Sequence, residues 1–512
     1  MRKKRIFPAD LLTRFLIIPV FCALWVLEFP CISEGAEKQT VQTGVSSSAE
    51  NVPLAITLGD AIVMALKNNR ALRVERLNPS IRKTYENQES AVFDPAVSAE
   101  VSASRERSLE TTDTTGGITD GGVEITKFLP TGTELSAGIT AYRDWSDLYS
   151  DRYGTRLGLT VTQSLLRGGG IDFNLASVRQ ARLDTLSSQY ELRGFAENLV
   201  AEVEMTYWNY ALAIRQIEIY RQSVDLAEHQ LKETEERISV GTIGEIELAA
   251  ARAELALRKE AMINAQSNLE SIRLRLLRLL NPSNNGLWNR GITLKNLPAV
   301  PDVKLDDVES HSAVALRMRP DLNQARLAIN RGDIEIVKTK NGLLPKMDLF
   351  INLGKTGYAD SFGGSAEDIG GKGYDISGGI AFEWPIGNRD AESRHRRAVL
   401  GRQQAGEALE NLTQLAELDV RLAYIEVNRA SQQITATAAT RSLEEEKLRA
   451  ETEKFSVGRS TALLVAQAQR DFLDSQITEV QALVNYLNSL VDLFRLEGSL
   501  LERRGVSTDS LH

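Results

Sequence analysis

The chain has 512 residues, more than a single hydrophobic core usually organises, so two domains or an extended repeat are expected. A formal charge of −9 with only four histidines provides no basic patch for nucleic acid and nothing that favours an anionic membrane surface. The two cysteines, Cys22 and Cys31, fall within the first 36 residues, so the remainder has no thiol for a disulfide or a cysteine metal site.

Residues 1–36 read as an export signal. Arg2, Lys3, Lys4 and Arg5 form a basic start, Phe15 to Leu27 is uncharged and apolar around Pro19, and Ser33-Glu34-Gly35-Ala36 offers small residues near a cut. The apolar stretch is shorter than the roughly 20 residues a spanning helix needs, which leaves a retained N-terminal anchor as the alternative. Cys31 follows Glu28-Phe29-Pro30, a poor lipoprotein signal. Residues 37–54 read as a linker.

From there a first unit is expected over 55–302. A helix over 56–92 starts at Thr57 as N-cap, with Asp60 at the favourable dipole end. The segment 95–166 changes to two-residue alternation, Val97, Ala99, Val101 and Ala103 against Ser98, Glu100, Ser102 and Ser104, which predicts strands. Further strands are expected over 121–128, 133–142 and 155–165, with Pro130-Thr131-Gly132 as a turn. Tyr142, Trp145, Tyr149 and Tyr153 are expected in a loop, and Trp384 at the opposite strand end; both positions suit membrane–water interfaces, with ordinary loop packing as the alternative. A long helix over 171–239 follows, whose apolar stripe from Leu192 to Ile238 recurs at a mean step of about 3.5. It stops at Ser239-Val240-Gly241, and a return helix over 244–280 ends at Asn281-Pro282.

A second unit is expected over 303–503 in the same order: helix 306–342, strand segment 345–384, long helix 388–456 and return helix 462–500, with 504–512 as a tail. Met347, Leu349, Ile351 and Leu353 oppose Asp348 and Asn352, and Ile376, Ile380 and Phe382 oppose Asp375, Ser377 and Glu383. The likeness is a true internal repeat. Leu231 to Gly241 recurs as Leu448 to Gly458, and the same 217-residue offset pairs Val203 with Val420, Tyr207 with Tyr424 and Asn268 with Asn485. Upstream the offset is 250, so the second copy lacks about 33 residues in its strand-like part. At about 1.5 Å per residue each long helix would measure about 100 Å, matched by the first and return helices stacked end to end.

Several segments, in this order, resemble the TolC-like outer-membrane efflux family over about residues 52–503. They are Ile56 through Asn69, Gln163 through Gly170, Arg319-Pro320-Asp321-Leu322, Leu343 through Lys346, Trp384 through Asn388, and both Ser-Val-Gly turns. The resemblance implies an α+β membrane protein: a trimeric transmembrane β-barrel continued by a long antiparallel α-helical periplasmic barrel, built from two internal structural repeats. The family usually supplies four strands per subunit, and the first copy here holds enough strand-like sequence for an additional hairpin. A spanning sheet must have no edge open to lipid, and one chain supplies too few strands to close one, so trimerisation is the physical complement of this reading. Alternation would then turn Ile, Leu and Phe to lipid and Asp, Ser and Glu to the lumen.

In the family's geometry the two turns form the periplasmic tip, where the tunnel closes and an adaptor protein docks. The residues carried over are Val240, Gly241, Thr242, Glu245 and Glu247 in the first copy, and Phe455, Val457, Gly458, Arg459 and Ser460 in the second. The expected device is an iris of hairpin ends held shut by polar contacts, against the simpler reading of a plain helix turn with solvated charges. Well-studied members carry two Asp, six and nine residues after the second turn's Gly; here Leu464 and Gln467 stand at those positions. Glu247, six residues after Gly241, is the carboxylate that matches the spacing.

Catalytic chemistry finds no support. His229, His311 and His395 are scattered along helices, read as solvated, with no second His at metal spacing. Gly168-Gly169-Gly170 lacks the Gly-Lys-Ser/Thr ending of a phosphate loop and reads as a flexible joint between strand and helix. No cofactor, metal or nucleic acid is expected. The implied partners are two further copies of the chain, a periplasmic adaptor, an inner-membrane pump that supplies the energy, and outer-membrane lipid. The implied function is a passive exit duct across periplasm and outer membrane of a Gram-negative bacterium, as in tripartite efflux or type I secretion. The rival readings are an exported helical coiled-coil scaffold without a pore, and an exported enzyme acting on polysaccharide or peptidoglycan through coupled carboxylates.

Overall fold

The computed structural model describes residues 53–108, 114–241, 244–282, 287–301 and 305–507. The expected export signal, most of the linker, Thr242 and the last five residues lie outside them.

Strand β1 (Leu54–Ile56) leads into α1 (Leu58–Asn68) through a reciprocal cap. The Thr57 hydroxyl accepts from the Asp60 amide at 3.1 Å, and the Asp60 carboxylate accepts from the Thr57 amide at 3.0 Å. Instead of one helix over 56–92, the chain runs as α1, α2 (Arg70–Glu75) and α3 (Leu77–Ser90). The break at Asn69 has a cause: its ψ of 126° leaves the helical region, its side chain caps Leu72, and its amide donates to the Leu279 carbonyl.

A 3₁₀ turn then feeds strands β2 (Ala96–Ser108), β3 (Thr114–Leu129), β4 (Thr133–Ser146) and β5 (Tyr149–Ser164). The aromatics expected in a loop are on strands: Tyr142 and Trp145 lie in β4, and Tyr149 opens the strand that carries Tyr153. Cross-strand pairing extends both strands almost to their turn, leaving two residues between them. The glycine joint is not slack either. Asn174 donates to the carbonyls of Pro130, Gly168 and Gly170, and Asn341 accepts from the Gly168 amide at 2.8 Å. Gly170 sits at φ +97°, which a side chain would strain.

Helices α4 (Ile171–Asn174) and α5 (Ala176–Ser239) follow; α5 alone, at 64 residues, measures about 96 Å. The return helix α6 (Ile246–Leu280) ends at Asn281 in the left-handed conformation. Strand β6 (Ile292–Leu294) then pairs in parallel with β1, a ladder too short to announce itself by alternation. The second copy begins with α7 (Val308–Met318) and α8 (Pro320–Gly342), parted at Arg319 because the residue before a proline is driven out of the helical region, here to ψ 125°. Strand β7 (Lys346–Ala359), the short helix α9 (Phe362–Glu367) and β8 (Tyr374–Glu383) precede α10 (Arg389–Ser456), α11 (Ala462–Leu496) and α12 (Leu500–Arg503).

Strands β2-β3-β4-β5-β7-β8 form one six-stranded antiparallel sheet in that order. Its register keeps the two faces apart. Val97, Ile125, Ala137, Leu159, Leu353 and Ile376 follow one another across the strands on one face. Glu124, Gly138, Gly158, Gly354 and Asp375 do so on the other. The apolar face is uncovered, with Val101 83% and Ile376 67% exposed.

The core lies midway along the long helices. Leu72, Tyr207, Leu276, Leu277, Leu280, Leu493, Leu500 and Leu501 are fully buried there, and Tyr210 donates to the Ile292 carbonyl of β6. His311 belongs to this region and is buried rather than solvated, its Nδ1 2.6 Å from Glu497. Arg504 makes a paired contact with the buried carboxylate of Glu204, so the chain's last described turn is tied to α5. Among the described residues no helix is long and apolar enough to cross a membrane.

Candidate functional site

Two helical hairpins, α5–α6 and α10–α11, turn back at the end of the molecule away from the sheet. Both turns need a left-handed residue, and both have glycine there: Gly241 at φ +73° and Gly458 at φ +74°. In the first turn Val240 is 72% exposed, Glu245 is exposed at the helix start, and Glu247 is half-buried. In the second, Val457 is 69% exposed and Arg459 is exposed. Ser460 donates to Glu451 at 2.8 Å, and Thr461 caps α11 by accepting from the Leu464 amide. Phe455 is half-buried because the Arg237 guanidinium of the other hairpin lies 4.9 Å over its ring.

Glu247 lines a small cleft of about 80 Å³ between α5, α6 and α11, together with Thr234, Ala251, Glu254, Ala466 and Arg470. Leu464 and Gln467 are exposed on the first turns of α11. Just above the turns, polar contacts join the two hairpins at residues the sequence reading did not single out. Gln469 donates to Gln230 at 2.7 Å, and Arg470 donates to Glu254 at 3.0 Å. Glu254 is also ion-paired with Arg258 at 2.5 Å, both side chains at least 88% buried.

A signal for this junction did exist in the repeat. In the second copy Lys447 and Asp471 form an ion pair at 2.6 Å within their own hairpin. At the 217-residue offset the first copy has Gln230 and Glu254. With no lysine at that place, Glu254 pairs with Arg258 of its own helix and also meets Arg470 of the other hairpin, to which Gln230 is bonded as well. The copies differ where they meet.

Between this end and the sheet, the family-like Arg319-Pro320-Asp321 segment acts as a clamp. Arg319 reaches Asp321 at 2.8 Å and Asp419 of α10 at 3.0 Å, fixing the angle between α7 and α8. Burial pushes the Asp321 carboxyl up, but the hydrogen bonds and charge of Arg319 outweigh it and hold it below its ordinary range. Among the described residues there is no group of three or more His, Cys, Asp or Glu placed to hold a metal.

An uncovered apolar sheet face continued by helices of about 100 Å is the build of an outer-membrane channel protein. The sequence matches the family of outer membrane efflux proteins over residues 61–282 and 312–499, and the chain belongs to that family. Its members are transporters of the outer membrane, which places this protein there, with its helices extending into the periplasm. It is 23% identical over 374 residues to the outer membrane protein TolC of Escherichia coli K12, covering 71% of this chain and 72% of that one. The fold is similar to that of the Campylobacter jejuni CmeC outer membrane channel, at a TM-score of 0.66 and 17% identity over 90% of this chain and 88% of the other. It is also similar to the open-state Neisseria gonorrhoeae MtrE outer membrane channel, at 0.62 and 20% identity over 89% and 94%.

Proposed function

We propose that the protein is the passive exit duct of a tripartite export system. Three copies close one barrel in the outer membrane, and their helices enclose a tunnel that meets a periplasmic adaptor and an inner-membrane pump. The observation that carries this reading is the six-stranded sheet with an apolar face, two unpaired edges and direct continuation into both long helices. Such a sheet cannot stay open in lipid, because every unpaired backbone group there costs several kcal/mol. The test is reconstitution of the exported protein in planar bilayers. Stable channels from an SDS-resistant trimer are expected; a water-soluble monomer that adds no conductance would overturn the proposal.

In this reading the two hairpins of each copy form the closing end, and the residues around Gly241 and Gly458 receive the adaptor. The ties Gln230–Gln469 and Glu254–Arg470 hold neighbouring hairpins together in the closed state, while Glu247 brings one carboxylate per copy to the entrance. Glu247→Gln is expected to change conductance and weaken block by divalent cations; unchanged values for both would remove Glu247 from the entrance.

A further inference from the structure

The sheet has two strands more than the four per subunit that the family usually supplies. Strands β4, β5, β7 and β8 by themselves would make four adjacent strands, and the hairpin β2–β3 extends the sheet beyond them at its edge. We propose that this hairpin is part of the membrane wall, so that the seam between copies is β8 against β2 of the next copy and three copies close a barrel of eighteen strands. The inference rests on the trimeric duct proposed above and specifies how its wall is built.

The strand lengths allow it. β2 has 13 residues and β3 has 16, against 14, 16, 14 and 10 for the other four, all long enough for the roughly 9–11 residues a tilted membrane strand requires. The facing demands it. Val97, Ala99 and Val101 register with Ile125, Val123 and Gly121, which in turn register with Ala137, Ile139 and Ala141, so the apolar face continues to the outermost strand without a change of side. A hairpin folded over the extracellular mouth would have no use for such a face. Val101 at 83% and Val97 at 68% exposed are the hydrophobic cost of leaving it in water.

The directions also close. β2 leaves the helical end of the molecule after α3, and β8 returns to that end before α10, so β8 and the next copy's β2 run antiparallel. With their helix-proximal ends level, Ala96 opposite Glu383, the apolar pairs across the seam become Val97–Phe382, Ala99–Ile380 and Ala103–Ile376. The polar face then pairs Glu100 with Gly379 and Ser102 with Ser377. A slip of one residue would turn Glu100 towards lipid, so the alternation excludes odd shifts of this register.

On the other face Gly138, Gly158 and Gly354 follow one another in one row, and the Arg156–Asp375 ion pair at 2.6 Å lies on the same face.

Cysteine cross-linking in outer membranes tests this, because both native cysteines lie in the expected export signal. Ala99→Cys is combined in turn with Gly378→Cys, Ile380→Cys and Phe382→Cys, and Ala137→Cys on β4 is combined with the same three. Conversion of the monomer band to covalent dimers and trimers is expected for at least one Ala99 pair and for no Ala137 pair. Cross-linking through Ala137 instead, or none through Ala99 in a chain that still forms conducting trimers, overturns the eighteen-stranded wall and leaves the duct standing. A chain that forms neither trimers nor channels overturns both.

Discussion

The Arg470 guanidinium donates to the Glu254 carboxylate across 3.0 Å, joining the return helices of two hairpins that lie 216 residues apart in the chain. Glu254 is shared, because Arg258 on its own helix meets it at 2.5 Å. Arg470→Ala removes this contact but leaves the Gln469–Gln230 bond and the Glu254–Arg258 pair intact. With Arg470 42% exposed, the loss of stability is expected to stay near 1 kcal/mol, while single-channel conductance rises. Glu254→Gln leaves Arg258 buried without its partner and should cost about 3–5 kcal/mol in thermal unfolding. Unaltered conductance in Arg470→Ala would reduce the contact to packing.

Arg319 holds two carboxylates at once, Asp321 through two nitrogens and Asp419 through a third. A lysine keeps the charge but not this fork, so Arg319→Lys should destabilise by about 1–3 kcal/mol. The Asp321 contribution has a definite pH sign. Its folded pKa lies below the ordinary 3.8, so its stabilisation is complete above that value and is lost as pH falls through the lower, folded one. Acid titration of wild type and variant should converge at the low end; parallel curves would deny Arg319 this role.

Glu197 has the opposite sign. Burial pushes its carboxyl up to about 7 from 4.5, although Arg193 stands 3.2 Å away and favours the ionised form. The folded protein therefore retains a proton that the unfolded chain releases, and stability falls as pH rises between those values and stays lower above them. The full difference corresponds to roughly 3 kcal/mol. Glu197→Gln should raise the unfolding midpoint at about pH 8 and change it little at about pH 4. A gain independent of pH would point to packing instead.

Asn174 supplies the bonds that turn strand into helix at the glycine joint. Asn174→Ala leaves the carbonyls of Pro130, Gly168 and Gly170 without this donor, for an expected loss of about 1–3 kcal/mol. The loss should appear as a lower midpoint of thermal unfolding. An unchanged midpoint would show that Asn341 alone secures the joint.

Much of the architecture was open to reading because regular elements write their period along the chain. The stripe from Leu192 to Ile238 and the alternation at Val97–Ala103 are local properties of neighbours two to four positions apart, and α5 and β2 lie where those patterns lie. The Thr57–Asp60 cap is equally local. The parting at Arg319 was signalled by Pro320, but the parting at Asn69 depends on a bond to Leu279 and leaves no local mark. His311 looked solvated because its sequence neighbours are polar, whereas Glu497, 186 residues on, receives it in the core.

By itself the sequence determined the 217-residue recurrence, the two long helices with their returns, and the two-residue alternation of the strand segments. Those follow from periodicity and composition, which need no knowledge of what packs on what. Only the tertiary structure decided that six strands share one sheet, that Glu254 meets Arg470 of the other hairpin, and that Arg504 comes back to Glu204. These pairings join residues hundreds of positions apart, and a polar side chain shows its partner only once the chain has folded to bring the two within about 3 Å.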